Sequence, residues 1–261
     1  MKLIGAGMLL VVLLGAIAAP LLARHLPTAQ PYRELALSAP SWTHPLGVDA
    51  VGRDVLTRVV YGARTTLGIA FGATALAVAG GVLLGMAAAT WRGWFESVVV
   101  HTVNFLVAFP SILLGLVALT VLTPSPASVA LAVGLASLPT VVRQVRAAFL
   151  AENARPYPLA ARAIGAGRWR VAIVEILPNC APIIFALTTV TLGSAVLESA
   201  GLAFLGLAGQ PDIPEWGAML REERSLHVLQ TAPWLVFAPG LAIAWTVLAF
   251  NLIHAGSRGR R

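Results

Sequence analysis

One cysteine, one lysine and few charges of either sign set the first limits on this 261-residue chain. Cys180 alone can neither close an internal disulfide nor supply a cysteine-rich metal site. Lys2 is the only lysine, so no glycine-rich phosphate loop ending in Gly-Lys-Ser/Thr exists here. Charged residues make up 11% of the chain, against about 25% in soluble domains. With 58% apolar residues and a mean hydropathy of +0.83, that excludes an ordinary water-soluble enzyme and a disordered chain. An intramembrane enzyme is the main competing class, but its motifs are missing. His25, His44, His101, His227 and His254 form no His-Glu-x-x-His pair, and no Gly-x-Ser-x-Gly elbow occurs. A haem held by His101 and His254 has nothing further behind it. The net charge of +7 does not point to nucleic acid, because the basic residues sit between apolar runs, where membrane topology accounts for them.

What the chain does have is long apolar runs. A helix crosses a bilayer in roughly 20 apolar residues. Residues 3–23 carry no charge and form a first candidate span; residues 65–91 form a second. The 46 residues between Glu96 and Arg143 contain no acid, lysine or arginine, enough for two spans. Pro124-Ser125-Pro126 is the natural turn between them, since proline cannot continue a hydrogen-bonded helix. This places spans three and four at residues 97–121 and 127–150, five at 180–207 and six at 233–255. Period-2 alternation is absent and an open sheet cannot satisfy its edges in lipid, so the fold class is all-α, a polytopic membrane protein of six helices. The first span also resembles a signal peptide, with Lys2 before an apolar core and Ala16-Ile17-Ala18 as a cleavage site; an uncleaved anchor is the expectation.

Orientation follows the lysines and arginines. With the N-terminus inside, the cytoplasmic side holds 11 of the 18: Lys2, Arg92, six arginines from Arg143 to Arg170, and Arg258, Arg260 and Arg261. The outside holds Arg24, Arg33, Arg53, Arg58, Arg64, Arg221 and Arg224. Both termini are therefore expected in the cytoplasm.

Three segments between or within the spans carry motifs. His44-Pro-Leu-Gly-Val-Asp49 and Val51-Gly-Arg-Asp54 precede Arg58 and Tyr61-Gly-Ala-Arg64, with polar residues interleaved among Val55, Leu56, Val59 and Val60. That pattern suits a short amphipathic helix lying at the interface, its arginines and aspartates pairing locally. In the second span, Gly68-xxx-Gly72 and Gly81-xxx-Gly85 are helix-packing faces. Between the fourth and fifth spans, Tyr157-Pro-Leu-Ala160-Ala161-Arg162-Ala163-Ile164-Gly165-Ala166-Gly167 is followed by Arg168-Trp-Arg170 and Ile176-Leu177-Pro178-Asn179. Pro158 suits the first turn of a short helix and Gly165 its end. A second helix from Arg168 would stop at Pro178. The result is a helix–turn–helix knuckle whose narrow, alanine-rich first helix can slot into a groove on a partner; the plain alternative is a surface loop held in the cytoplasm by its arginines.

This last segment resembles the coupling motif, the EAA loop, of permease subunits in binding-protein-dependent ABC importers. The similarity covers Ala160, Ala161, Gly165 and Ile176-Leu177-Pro178, while Leu159 replaces the motif's leading glutamate. His44-Pro-Leu-Gly, Gly52-Arg-Asp54, Tyr61-Gly-Ala-Arg64, Phe109-Pro110, Phe204-Leu-Gly206-Leu, Trp216-Gly217 and Pro239-Gly240 through Asn251 resemble the dipeptide/oligopeptide/nickel branch, and within it the second of two permeases.

The resemblance implies a bacterial inner-membrane subunit of six spans, paired with a sister permease around one path for peptides or nickel. Two cytoplasmic ATPase subunits would bind ATP and magnesium, leaving this chain without cofactor, metal or catalytic residues, and an extracytoplasmic solute-binding protein would deliver cargo. The implied organisation is a first span at 1–23, an extracytoplasmic segment at 24–64, a permease core at 65–255 with its coupling loop at 151–179, and a basic tail at 256–261. The coupling set is Tyr157, Ala160, Ala161, Arg162, Gly165, Ala166, Arg170, Leu177 and Pro178. The extracytoplasmic set is Gly47, Asp49, Gly52, Arg53, Asp54 and Arg64.

Glu198 lies within the fifth span, where a charge is costly and by default faces a cavity or a partner. Glu198 and Asn104 are the pathway candidates; Asn104, His101 and Asn251 also read as interhelical hydrogen-bond partners. An ion-coupled secondary transporter using Glu198 is the alternative function. The outer loop from Gln210 to Gln230 reads as a candidate contact for the binding protein through Trp216 and Gly217, or as a plain solvated loop.

Overall fold

The computed structural model describes residues 1–22, 26–207 and 213–258. Helix α1 (Lys2–Leu22) is the first span. Helix α2 runs without a break over Val55–Thr90, 36 residues or about 54 Å of helix. Asp54 caps it, accepting a hydrogen bond from Thr57 N at 2.8 Å. The short interfacial helix expected before the second span is therefore the first turns of that span's own helix. No proline interrupts residues 55–65, Gly62 packs within the helix against Trp216, and Val55, Thr57 and Arg58 are buried against the protein.

The expected third span is broken. Helices α3 (Trp94–Val107) and α4 (Ser111–Val121) meet at 97°. Pro110 supplies no N–H and restricts Phe109 before it, so the hydrogen-bond ladder cannot cross the junction. The pair makes either one bent span or a re-entrant hairpin. Ser125 then caps α5 (Pro126–Asn153) by accepting from Ser128 N.

Beyond α5 come α6 (Pro156–Ala163) and α7 (Arg168–Arg170), the latter leading through a π-helical stretch, Val171–Ile176, into α8 (Leu177–Phe204). The second knuckle helix does not stop at Pro178. The wider i→i+5 turn ahead of it relieves both the missing N–H and the clash with the carbonyl four residues back. Short helices α9 (Trp216–Glu222) and α10 (Leu226–Thr231) precede the final span, α11 (Trp234–Arg258). Among the described residues five helices are long and apolar enough to cross a membrane, or six if the bent α3–α4 pair counts as one.

The core is the α2–α5 pair, with α8 laid against both and α11 and α1 packed outside. Glycine makes the approach of α2 to α5 possible: a Cβ on Gly85 would sit 2.9 Å from Val142 O, and one on Gly134 2.9 Å from Ala73 O. Gly81 presses on Val141 in the same way. Gly68, by contrast, faces open space, so only the second small-residue pair of α2 is a close-packed face.

The bundle has two unlike ends. Lys2 lies against Gly256 and its Nζ stands 5.5 Å from the centre of the Phe185 ring. That places the N-terminus, the end of α11 and the start of α8 together with the C-terminal ends of α2 and α5 and with α6; this is the knuckle end. The opposite, cap end holds residues 26–54, α9, α10 and the start of α11, around a small apolar cluster of Val55, Val228, Ala232 and Leu235.

Candidate functional site

At the knuckle end, Pro156 and Pro158 pre-set the first turn of α6. The helix closes with two backbone bonds, Gly165 N to Arg162 O at 3.0 Å and Ala166 N to Ala161 O at 3.0 Å. This is the Schellman arrangement, and Gly165 takes the left-handed position at φ +92°. Its absent Cβ would meet nothing, so backbone conformation rather than space requires glycine there. Tyr157 Oη donates to Glu152 Oε2 at 3.0 Å, and Arg155 pairs with the same oxygen. Arg162 reaches Asn153 Oδ1.

The expected coupling residues divide into two groups. Ala161 and Ala166 pack inward against the cluster of Met86, Ala89, Phe149, Val171 and Ile176. Ala160, Arg162 and Arg170 are exposed, joined by Leu159 at 58% and Ile164 at 88% exposure. Leu177 is half-buried and Pro178 exposed on the helix that continues into α8. The outward side of α6 thus presents Ala160 beside the apolar Leu159 and Ile164, with Arg162 next to them, on a backbone anchored from behind.

At the cap end the extracytoplasmic set forms one network, and acquires partners that sequence reasoning missed. Gly47 (φ +77°) and Gly52 (φ +90°) fold the segment so that Asp49 is buried. A Cβ on Gly47 would lie 2.6 Å from Trp234 Nε1, and one on Gly52 2.6 Å from Arg33 N. Asp49 Oδ1 accepts from Val51 N and Arg53 N at 3.0 and 2.8 Å. Its Oδ2 takes Arg53 Nε at 2.5 Å and Arg58 Nη1 at 3.3 Å. Both arginines also grip Glu222 of α9, at 2.5 and 3.0 Å. Asp54, besides capping α2, bonds His44 Nδ1 at 3.1 Å. Arg64 stands apart, exposed, with its guanidinium 5.9 Å from the Tyr61 ring centre.

Glu223, next to this network, is 6% exposed and its Oε2 makes no hydrogen bond. Burial, followed by the carboxylates of Asp49 and Glu222, pushes its pKa up to about 7. Asp49, Glu222 and Glu223 bring carboxylate oxygens within 4.8 Å of one another, a spacing that a divalent cation could bridge. Arg53 and Arg58 already occupy two of those three carboxylates.

Trp216 and Gly217 do not form a docking surface. Trp216 is 1% exposed, and its Nε1 donates to Val59 O at 2.9 Å. Gly217 lies against the backbone of Ala200 so tightly that a side chain has no room. Glu215, also buried, caps α9 by accepting from Ala218 N at 2.8 Å and receives Thr66 Oγ1 at 3.0 Å. These residues lock α9 onto α2 and α8. Of the loop assigned to the binding protein, residues 210–212 lie outside the described residues.

Within the bundle, Ser111 Oγ donates to Glu198 Oε1 at 2.6 Å. The two line a cavity of about 130 Å³ with Ser137, Thr140 and Gln144 of α5 and Thr191 and Ser194 of α8. The spacing of three then four residues on each helix, 137–140–144 and 191–194–198, puts each triplet on one helix face. That periodicity was available in the sequence. Thr140, Gln144 and Ser194 are exposed, so the cavity is a polar groove open on the flank of the single chain. Asn104 does not contribute. It lies exposed on α3, and neither it, His101 nor Asn251 makes a side-chain hydrogen bond among the described residues.

Residues 81–258 match the family described as binding-protein-dependent transport system inner membrane component. The chain is 38% identical over 262 residues to the dipeptide transport system permease protein DppC of Haemophilus influenzae, covering 98% of this chain and 88% of that one. It is 40% identical over 261 residues to DppC of Escherichia coli K12, covering 98% and 86%. The glutathione transport system permease protein GsiD of Pectobacterium atrosepticum is 37% identical over 219 residues, covering 84% and 72%.

Proposed function

Because this chain belongs to the family of binding-protein-dependent transport system inner membrane components, we propose that it is the peptide-conducting half of an ATP-driven importer, completed by a sister permease. Membership makes it a multi-pass inner-membrane subunit that works with a solute-binding protein and an ATPase. Short peptides as cargo follow from the dipeptide and glutathione permeases it resembles. Two ATPase subunits supply ATP and magnesium chemistry, and this chain performs no catalysis of its own. Both termini face the cytoplasm, a reading supported by Lys2, Arg92, Arg162, Arg168 and Arg170 gathering at the knuckle end without acidic partners among the described residues.

The observation that carries this reading is the build of α6. An inward side held by Ala161, Ala166 and the Gly165 turn backs an outward side of Leu159, Ala160 and Ile164, as a lever needs. ATPase closure pushes that face, and the helical junction through Val171–Ile176, continuous with α8, passes the movement to α8 and to the groove beside Glu198. Glu198, Ser137, Thr140, Gln144 and Ser194 would then line the path, which the sister subunit closes from the open side. The ion-coupled alternative is not favoured by the family to which the chain belongs.

The decisive experiment is peptide uptake into vesicles holding this chain, its sister permease, the ATPases and the binding protein. Ala160→Trp should leave the complex assembled while abolishing ATP-dependent uptake, because the new ring stands on the outward face of α6. Normal uptake by that variant, or uptake driven by an ion gradient without ATPase subunits, would overturn the proposal.

A further inference from the structure

A polar cavity at the knuckle end is not used by the lever. It measures about 320 Å³ and lies between the last turns of α2 and α5, helix α6 and the start of α7. Arg92, Arg162 and Arg168 all line it, and no carboxylate does. Glu152 is committed to Tyr157 and Arg155 and Glu96 to Arg146, while Glu175, beside Ile176, does not line the cavity. Arg162 is held by Asn153 Oδ1, a neutral acceptor that fixes the guanidinium without neutralising it. Arg92 and Arg168 have no acidic partner among the described residues. Three arginines lining a cavity with no carboxylate make a receptor for a phosphate-sized anion, because a guanidinium can bind phosphate oxygens through two N–H groups.

The rest of the cavity says where that phosphate comes from. Its floor is apolar, formed by Ala89, Phe149, Ala172 and Ile176. Trp91 and Trp169 meet edge to face at 4.8 Å beside it, and Trp94 is 79% exposed one turn further along the chain. Tryptophans at a helix end mark the headgroup level of a bilayer. Basic pockets between helices on that side of a membrane suit anionic headgroups. We infer that this cavity binds the phosphate of an anionic phospholipid from the adjoining leaflet, and that the bound headgroup ties α6 to the ends of α2 and α5. The binding claim needs only the membrane setting; its consequence for transport rests on the lever reading above.

The test uses the purified transporter complex, stripped of lipid and returned to discs of phosphatidylcholine with or without phosphatidylglycerol. Retained lipid is counted by native mass spectrometry. The wild-type complex should hold phosphatidylglycerol in preference to phosphatidylcholine. Arg92→Gln with Arg168→Gln should weaken that retention roughly thirtyfold, about fivefold per arginine. Arg155→Gln, whose guanidinium is committed to Glu152 outside the cavity, should leave it unchanged. Arg168→Lys should recover most of the binding lost in Arg168→Gln; equal loss in both would make Arg168 merely structural and overturn the assignment. Displacement of the lipid by inorganic phosphate at similar concentration would show a free-anion pocket instead. Weakened ATPase association with unchanged lipid retention would assign the arginines to an acidic segment of that partner. If lipid retention fails while uptake still requires the ATPases, the transporter reading stands and only the lipid site falls.

Discussion

The cap end and the knuckle end both concentrate arginine, and they treat it in opposite ways. At the cap end Arg53 and Arg58 are sunk between Asp49 and Glu222, so each charge is compensated and the segment before α2 is pinned to α9. At the knuckle end Arg92, Arg162 and Arg168 surround a cavity with no acid in it. Buried ion pairs fix a conformation because separating them leaves a charge stranded in low dielectric. Uncompensated arginines on an open cavity leave a surface waiting for a partner. One end of the bundle is thus built to hold its shape, and the other to receive something.

Removing one partner at each end gives the sharpest break of this contrast. Asp49→Ala leaves Arg53 and the buried Arg58 to share Glu222 and takes the acceptor from Val51 N and Arg53 N, and should cost about 2–4 kcal/mol of stability. Arg162→Ala at the knuckle end removes an exposed side chain and should cost within about 0.5 kcal/mol. Thermal unfolding of the two variants in the same detergent would measure the difference. Equal shifts would mean that the cap network is no more rigid than the knuckle.

The next effect is a dependence on pH confined to the cap end. Three carboxyls there, Asp49, Glu222 and Glu223, share two arginines, and Glu223 is the surplus acid. Its pKa stands at about 7 in the folded protein and in the ordinary carboxyl range when unfolded. The folded state therefore binds this proton more tightly. The stabilisation is fully present below the ordinary carboxyl pKa and is lost as pH rises through about 7. A shift of this size corresponds to about 3 kcal/mol. Wild-type stability should fall between mildly acidic and mildly alkaline pH, and Glu223→Gln should flatten that part of the profile. An unchanged slope in the variant would assign the titration elsewhere.

The spans were legible in the sequence because hydropathy and length depend on composition alone, and Lys2 and Pro124-Ser125-Pro126 mark ends among them. Hydropathy is blind to direction, however. The run from Trp94 to Val121 is apolar enough for one helix, yet Pro110 turns it through 97°. Pro178 misled in the opposite sense, since the π-helical turn before it lets the helix continue. Gly47, Asp49, Gly52 and Arg53 stood out as a motif, while Glu222 and Glu223 did not. An ion pair reaching from Arg58 across 164 residues leaves no period for a reader to find. Trp216 looked like a docking residue because aromatic side chains in polar loops often are; only packing against Val59 shows it to be a wedge.

The smallest predicted effect tests the comparison within a single motif. Arg58 and Arg64 both lie on the first turns of α2, six residues apart. Arg58 is buried between Asp49 and Glu222, whereas Arg64 is exposed and, among the described residues, makes no ion pair and stands 5.9 Å from the Tyr61 ring centre, where the attraction is weak. If burial and pairing decide what an arginine contributes, Arg64→Gln should change stability by less than about 0.5 kcal/mol, though its sequence context is equally distinctive. Thermal unfolding beside Arg58→Gln supplies the comparison. A loss at Arg64 matching that at Arg58 would mean that the cap end draws its rigidity from the whole motif, and that the ion-pair network is only the part of it in view.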